Sequence, residues 1–294
     1  MNGIHCVNCH KPLRLSLLSI AITVLTADPA SAFTFSSGEL EGSLDTTISY
    51  GTRWRVQDRD QSIIGKANGG AANSVNGDDG NLNYDTGLVS NVIKITPELE
   101  LNYRNYGAFI RATYFYDFEV KNNDTARTPL SQDALDEVGE KGEILDAYVW
   151  GSWNPGDKPL DVRIGNQVIN WGESTFIQGG MNSINPVNVN NLRVPGAEIR
   201  EALKPVPRIW ANLGATGKIS VEGFYQTHWQ ETIIDPVGTY FSTTDLAVEG
   251  AEKVVLGFGS APDNPALPGT AVPRGDDREA KDGGEYGIML NYLT

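Results

Sequence analysis

Apolar and polar residues alternate with a period of two along most of this chain. From Leu40 the even positions read Leu40, Gly42, Leu44, Thr46, Ile48, Tyr50, Thr52, Trp54 and Val56, while the odd ones include Glu41, Ser43, Asp45, Arg53 and Arg55. Successive side chains of a strand point to opposite faces, so this is a long strand with one apolar and one polar face. Ile93, Ile95, Leu99, Leu101 and Tyr103 likewise alternate with Lys94, Thr96, Glu98, Glu100 and Asn102. Arg104-Asn105 breaks the run, and alternation resumes from Tyr106 to Lys121. The pair predicts a tight hairpin between two long strands. Weaker strands are predicted over 143–153, 161–168, 208–215, 218–229 and 285–293, with turns at 154–159 and 216–217.

Between these short turns lie long polar connections at 57–87, 122–142 and 235–284. Short turns at one end and long loops at the other mark outer-membrane barrels, in which polar alternate residues face a wet lumen. A soluble β-sandwich also alternates, but strands of soluble domains usually stop at about five or six residues. The pattern therefore predicts an all-β fold, an antiparallel transmembrane β-barrel. Alternation still runs at Thr294, where an outer-membrane strand is expected to finish on an aromatic residue. The expectation is thus the front part of a larger barrel, since strand edges left open in lipid are untenable.

The amino terminus reads differently. "HCVNCH" at 5–10 holds both cysteines and spells C-x-x-C-H, the haem-attachment pattern. Lys11 and Arg14 follow, then an apolar run from Leu15 to Leu25 and the small-residue triplet Ala30-Ser31-Ala32. A basic segment, a short apolar core and an A-x-A site describe a secretory signal peptide. The run is shorter than the roughly 20 apolar residues that span a bilayer. Residues 1–32 are expected to be removed, the mature chain starting at Phe33. A motif discarded with the leader holds neither haem nor zinc, and no cofactor is expected.

Without the leader the chain has no cysteine and one histidine, His228. Disulfides, thiol nucleophiles and Cys/His metal sites are thereby excluded. The formal net charge of the whole 294-residue chain is −14. Such acidity argues against nucleic acid as a partner.

Residues 171–210 do not alternate. "WGESTFIQGGMNSINPVNVNNLRVPG" is rich in asparagine and broken by glycine and proline. "AEIREALK" (197–204) follows, with Ile199, Ala202 and Leu203 on one helical face, ended by Pro205 and Pro207. A connection this long is usually functional. It is expected to fold inward as a loop and short helix, a plug-like segment at about 171–208 against the lumen. "RIGNQVINWGESTFIQGGMNSINPVNVNNLRVPGAEIREALKPVP" closely resembles the hallmark stretch of the outer-membrane proteins grouped as domain-of-unknown-function family 1302. "FTFSSGELEGSLDTTISYGTRWRV" resembles the mature amino terminus of the same family, and the likeness covers essentially all of 33–294. The resemblance implies a barrel in the outer membrane of a Gram-negative bacterium, in contact with outer-membrane lipid. It also implies longer family members, and a periplasmic or inner-membrane exporter component as partner.

Candidate residues follow from these placements. Trp171, Glu173, Ser174, Gln178, Asn182, Asn185 and Arg193 are the substrate or lumen candidates, with Glu173 expected to pair with Arg163 or Arg193. Trp150, Trp153 and Trp171 are read as wall or girdle residues in preference to a sugar-stacking track. His228, beside Trp229 at a strand end, suits an interface better than a hydrolase that would pair it with Ser174; no enzyme activity is expected. Asp78, Asp79 and Asp85 are weak calcium candidates in what reads as a solvated extracellular loop. The function expected is a channel or transporter for small or hydrophobic, lipid-like molecules. The alternative is a non-transporting scaffold or surface-receptor barrel.

Overall fold

The computed structural model describes residues 32–172 and 183–293. Nine strands form one antiparallel sheet: β1 (Phe33–Ser37), β2 (Leu40–Arg55), β3 (Gly87–Tyr103), β4 (Tyr106–Asp117), β5 (Glu140–Trp153), β6 (Leu160–Gln167), β7 (Val206–Gly214), β8 (Ile219–Gln226) and β11 (Glu285–Tyr292). Each strand pairs with its neighbour in the chain, except that β8 pairs directly with β11. Between them β9 (Lys253–Val255) and β10 (Ala271–Pro273) form a separate two-stranded ribbon. The sheet is open, with β1 and β11 at its edges.

Neighbour-to-neighbour pairing puts every short turn at one end of the sheet. These are 38–39, 104–105, 154–159 and 215–218, and the first two turn through the left-handed backbone of Gly38 and Arg104. The long connections 56–86, 118–139, 168–205 and 227–284 all emerge at the other end. They are cross-tied. The Asn76 side chain donates to the Val255 carbonyl at 2.8 Å and accepts from its amide at 2.7 Å. Asn83 donates to the carbonyls of Thr128 and Gly238, at 2.9 and 2.8 Å. A buried asparagine satisfied on both sides of its amide holds two backbones at fixed spacing.

The two faces of the sheet are chemically inverted relative to a soluble protein. On one face Ile48, Ile144, Ile164 and Ile288 are 67, 64, 51 and 75% exposed. On the other, which the connections cover, Lys94, Arg111, Asp146 and Arg208 are buried.

The predicted strand boundaries hold within a few residues, with three departures. The alternation from Phe118 to Lys121 is not strand: Asp117 accepts from the amides of Glu119 and Val120 and starts a helix over Phe118–Asn122. A carboxylate capping two free amides outcompetes a pattern that suits either structure. Within the connection expected to be a plain polar loop, Ser131 caps a second helix, Gln132–Val138. The helix expected over 197–204 is a single 3-10 turn, Ile199–Ala202. It turns Glu201 and Ala202 inward and leaves Ile199 82% exposed. Of the expected apolar face Ala202 is buried and Leu203 half-buried, whereas Ile199 points out and the charged Glu201 lies inside, bonded to Lys94.

Candidate functional site

Residues 183–205 lie over the covered face of the sheet, and their asparagines explain how. An antiparallel bridge between Val187 and Leu203 closes the segment on itself. Inside it the Asn188 side chain caps the helix Val189–Arg193 by accepting from the amides of Asn190 and Asn191. Its amide nitrogen donates outward to Glu137 at 2.8 Å, and that of Asn191 donates to Glu143 at 2.7 Å. One short side chain thus satisfies helix-terminal donors and ties the helix to its neighbours.

Three charged anchors hold the segment to the sheet. Lys94 of β3 donates to both carboxylate oxygens of Glu201 at 2.7 and 2.9 Å, and to the Gly196 carbonyl at 3.0 Å. Arg208 of β7 donates to Asn185 Oδ1 at 2.6 Å and to the Ile184 carbonyl, while Gln226 of β8 accepts from its Nε and Nη2. Arg200 pairs with Glu98 of β3 at 2.6 Å. A full set of partners lets buried cations persist in a low-dielectric site. The fit is also steric. A side chain at Gly51 of β2 would meet Pro195 at 2.7 Å, so the segment rests on bare backbone there.

At the loop end, the guanidiniums of Arg193 and Arg53 both lie over the Phe241 ring, at 4.5 and 4.7 Å from its centroid. Arg193 pairs with Asp235 and donates to the Phe241 carbonyl, while Arg53 donates to the carbonyl of Arg193. Burial nonetheless holds the Asp235 carboxyl above the usual range, with Arg193 opposing it. A cavity of about 50 Å³ sits among Arg53, Tyr84, Asp117, Arg193, Asp235 and Phe241.

Below the segment a cross-strand row carries aromatics. Gly107, Trp150, Arg163, Trp210, Phe224 and Gly287 stand opposite one another across β4, β5, β6, β7, β8 and β11. Glycine ends the row on both sides because rings lie over the backbone there. A Cβ at Gly107 would meet Trp150 at 2.3 Å, and one at Gly287 would meet Phe224 at 2.6 Å and Trp171 at 2.7 Å. Arg163 stacks on Trp210 at 4.6 Å. The indole nitrogens of Trp171 and Trp210 both donate to Glu222 Oε1 at 2.5 Å.

The model of the family described as Protein of unknown function (DUF1302) matches residues 13–294. The chain belongs to this family. No curated protein and no solved structure shows a significant match to it.

In this DUF1302 chain the sequence-predicted lumen residues fall into two groups. Trp171, Asn185 and Arg193 lie at the covered face: Trp171 against Phe224 of the aromatic row, Asn185 on Arg208, Arg193 on Asp235. Glu173, Ser174, Gln178 and Asn182 lie outside the described residues. Arg193 pairs with Asp235 and Arg163 stacks on rings, while the expected pairing of Glu173 with either arginine lies outside the described residues. Trp150 shares the covered face, whereas Trp153 packs edge-on against Tyr106 on the opposite one. His228 is exposed at the end of β8 with the Thr227 hydroxyl at 3.1 Å.

The acidic loop corrects another expectation. Asp78 and Asp79 are buried, and only Asp85 is solvated, paired with Arg59 at 3.0 Å. Long-range packing of 57–86 against 235–284 buries what looked like an exposed tip. Sequence reasoning passed over Lys94, Glu201, Arg208 and Glu222. Lys94, Arg208 and Glu222 stand on the polar phase of their strands, and Glu201 lies within the segment that does not alternate; Lys94, Glu201 and Arg208 are buried.

Proposed function

We propose that this DUF1302 protein is an outer-membrane β-barrel channel for small or hydrophobic, lipid-like solutes, narrowed by residues 183–205. The observation that carries the reading is the inversion of the sheet: aliphatic side chains exposed on one face, buried charges and a folded-in segment on the other. An apolar outer band against lipid and a polar interior is the arrangement of a membrane barrel. In that reading the edges β1 and β11 are shielded from hydrocarbon, because unpaired backbone groups are too costly there. The leader at 1–32 directs export, the bilayer of a Gram-negative outer membrane is the surroundings, and an exporter component hands over the solute.

The test is single-channel recording of the full-length protein in planar bilayers, beside the double variant Lys94→Ala/Glu201→Ala. Unlatching the segment is expected to raise conductance or the frequency of open events. A complete lack of conductance and of solute flux in both forms would sink the transport reading and leave a scaffold or receptor.

A further inference from the structure

Away from the covered face, four carboxylates from distant parts of the chain meet among the long connections. One oxygen from each of Asp78, Asp79, Asp245 and Asp263 lies within 4.8 Å of the others. Asp78 is fully buried, and Asp79 and Asp263 are nearly so. Among the described residues Arg127 is the cation paired with them. Its Nη2 donates to Asp263, and its Nη1 stands 3.7 Å from Asp78 and 3.9 Å from Asp79. One guanidinium facing four carboxylates leaves a large negative excess in a desolvated place, which a fold tolerates only when something neutralises it.

Asp245 is the residue that points to a ligand. Asp78 accepts from the Gly65 amide and Asn68, Asp79 from the Thr128 hydroxyl, and Asp263 from Asn68 and Arg127. Both carboxylate oxygens of Asp245, in contrast, expose less than 1 Å² each and have no hydrogen-bond partner. Almost every buried polar group in a native protein is satisfied, so a whole carboxylate without a donor, beside three others, has a missing partner. A cavity of about 300 Å³ adjoins the group, bordered by Asp79, Asp245 and Asp263, with Glu252 and Lys253 also on its wall.

The geometry points to a calcium site formed by Asp78, Asp79, Asp245 and Asp263. The four donors are carboxylate oxygens, with no histidine or cysteine among them, which selects a hard cation over a transition metal. Four carboxylates supplied by the protein suit calcium, which takes six to eight oxygen ligands in flexible geometry, whereas magnesium keeps several of its waters and is seldom caged by protein ligands alone. The ion would cross-link connection 56–86 to connection 227–284, with Arg127 bringing in a third, 118–139. This assignment does not depend on the channel reading.

The experiment is to strip the purified full-length protein in detergent with a calcium chelator. It is then dialysed against about 1 mM calcium, the regime of extracellular modules, before metal content and thermal midpoint are measured. One calcium retained per chain and a raised midpoint are expected, since an ion that binds only the folded state stabilises it. Asp245→Asn and Asp263→Asn are each expected to weaken calcium binding at least about tenfold, whereas Asp85→Asn leaves it unchanged. If either aspartate variant loses its β-sheet signal in circular dichroism, the calcium titration of the wild type decides alone. No retained ion and no change in midpoint would overturn the site. So would an equal response to magnesium, or a loss in Asp85→Asn as large as that in Asp245→Asn.

Discussion

At Gly107 the absence of a side chain is itself a structural choice. The Trp150 indole occupies the space a Cβ would need, and the row that continues through Arg163 to Trp210 depends on that ring lying flat. Gly107→Val is expected to destabilise the folded protein by about 1–3 kcal/mol, the usual cost of forcing atoms into a filled site. Gly217, in the turn between β7 and β8, has open space at the Cβ position. Gly217→Ala should therefore stay within about ±0.5 kcal/mol. Denaturant midpoints of the two variants compare them directly, and equal shifts would show that the ring does not fill the Gly107 site. Alternation revealed the phase of Gly107 and Trp150, but register alone made them cross-strand neighbours.

Among the elements, the segment 183–205 was legible as an exception and illegible as a structure. Its failure to alternate and its asparagines marked it as folded against something. The partners could not be read, because Lys94 and Glu201 are 107 residues apart and Arg208 reaches Asn185 across a loop. Local propensity also misled: "AEIREALK" suits an α-helix, yet one 3-10 turn forms because the ion pair with Lys94 fixes where Glu201 must stand. Lys94→Met leaves Glu201 buried without its cation, at a cost of about 3–5 kcal/mol. Limited proteolysis should then cut within 183–205 at a concentration of protease that spares the wild type. Adding Glu201→Leu is expected to restore much of the protection, because two apolar partners replace a buried pair at little cost. Cutting of the double variant as fast as the single one would show that the ion pair is not the latch.

For the whole molecule the decisive property is which face meets which solvent. Ile144 on β5 is 64% exposed on the apolar face, while its sequence neighbour Leu145 is buried. If the apolar face lies in hydrocarbon, Ile144→Arg costs about 2–4 kcal/mol near the bilayer midplane. Folding yields into lipid vesicles should fall accordingly. Leu267→Arg, at an exposed position in the 227–284 connection, should change nothing. Equal vesicle folding of both variants would remove the bilayer from the account of this sheet.

The sequence by itself determined the long strands, their turns and the phase of each face, because a period of two and a two-residue break are local properties that backbone geometry translates directly. Only the tertiary structure decided what the polar face holds. The burial of Asp78 and Asp79, their meeting with Asp245 and Asp263, the Lys94–Glu201 latch and the glycine-ended aromatic row all join residues far apart in the chain. Such pairings arise from strand register and loop packing. The energy that selects them, burial of charge only where partners are supplied, is a property of the assembled fold and not of any stretch within it.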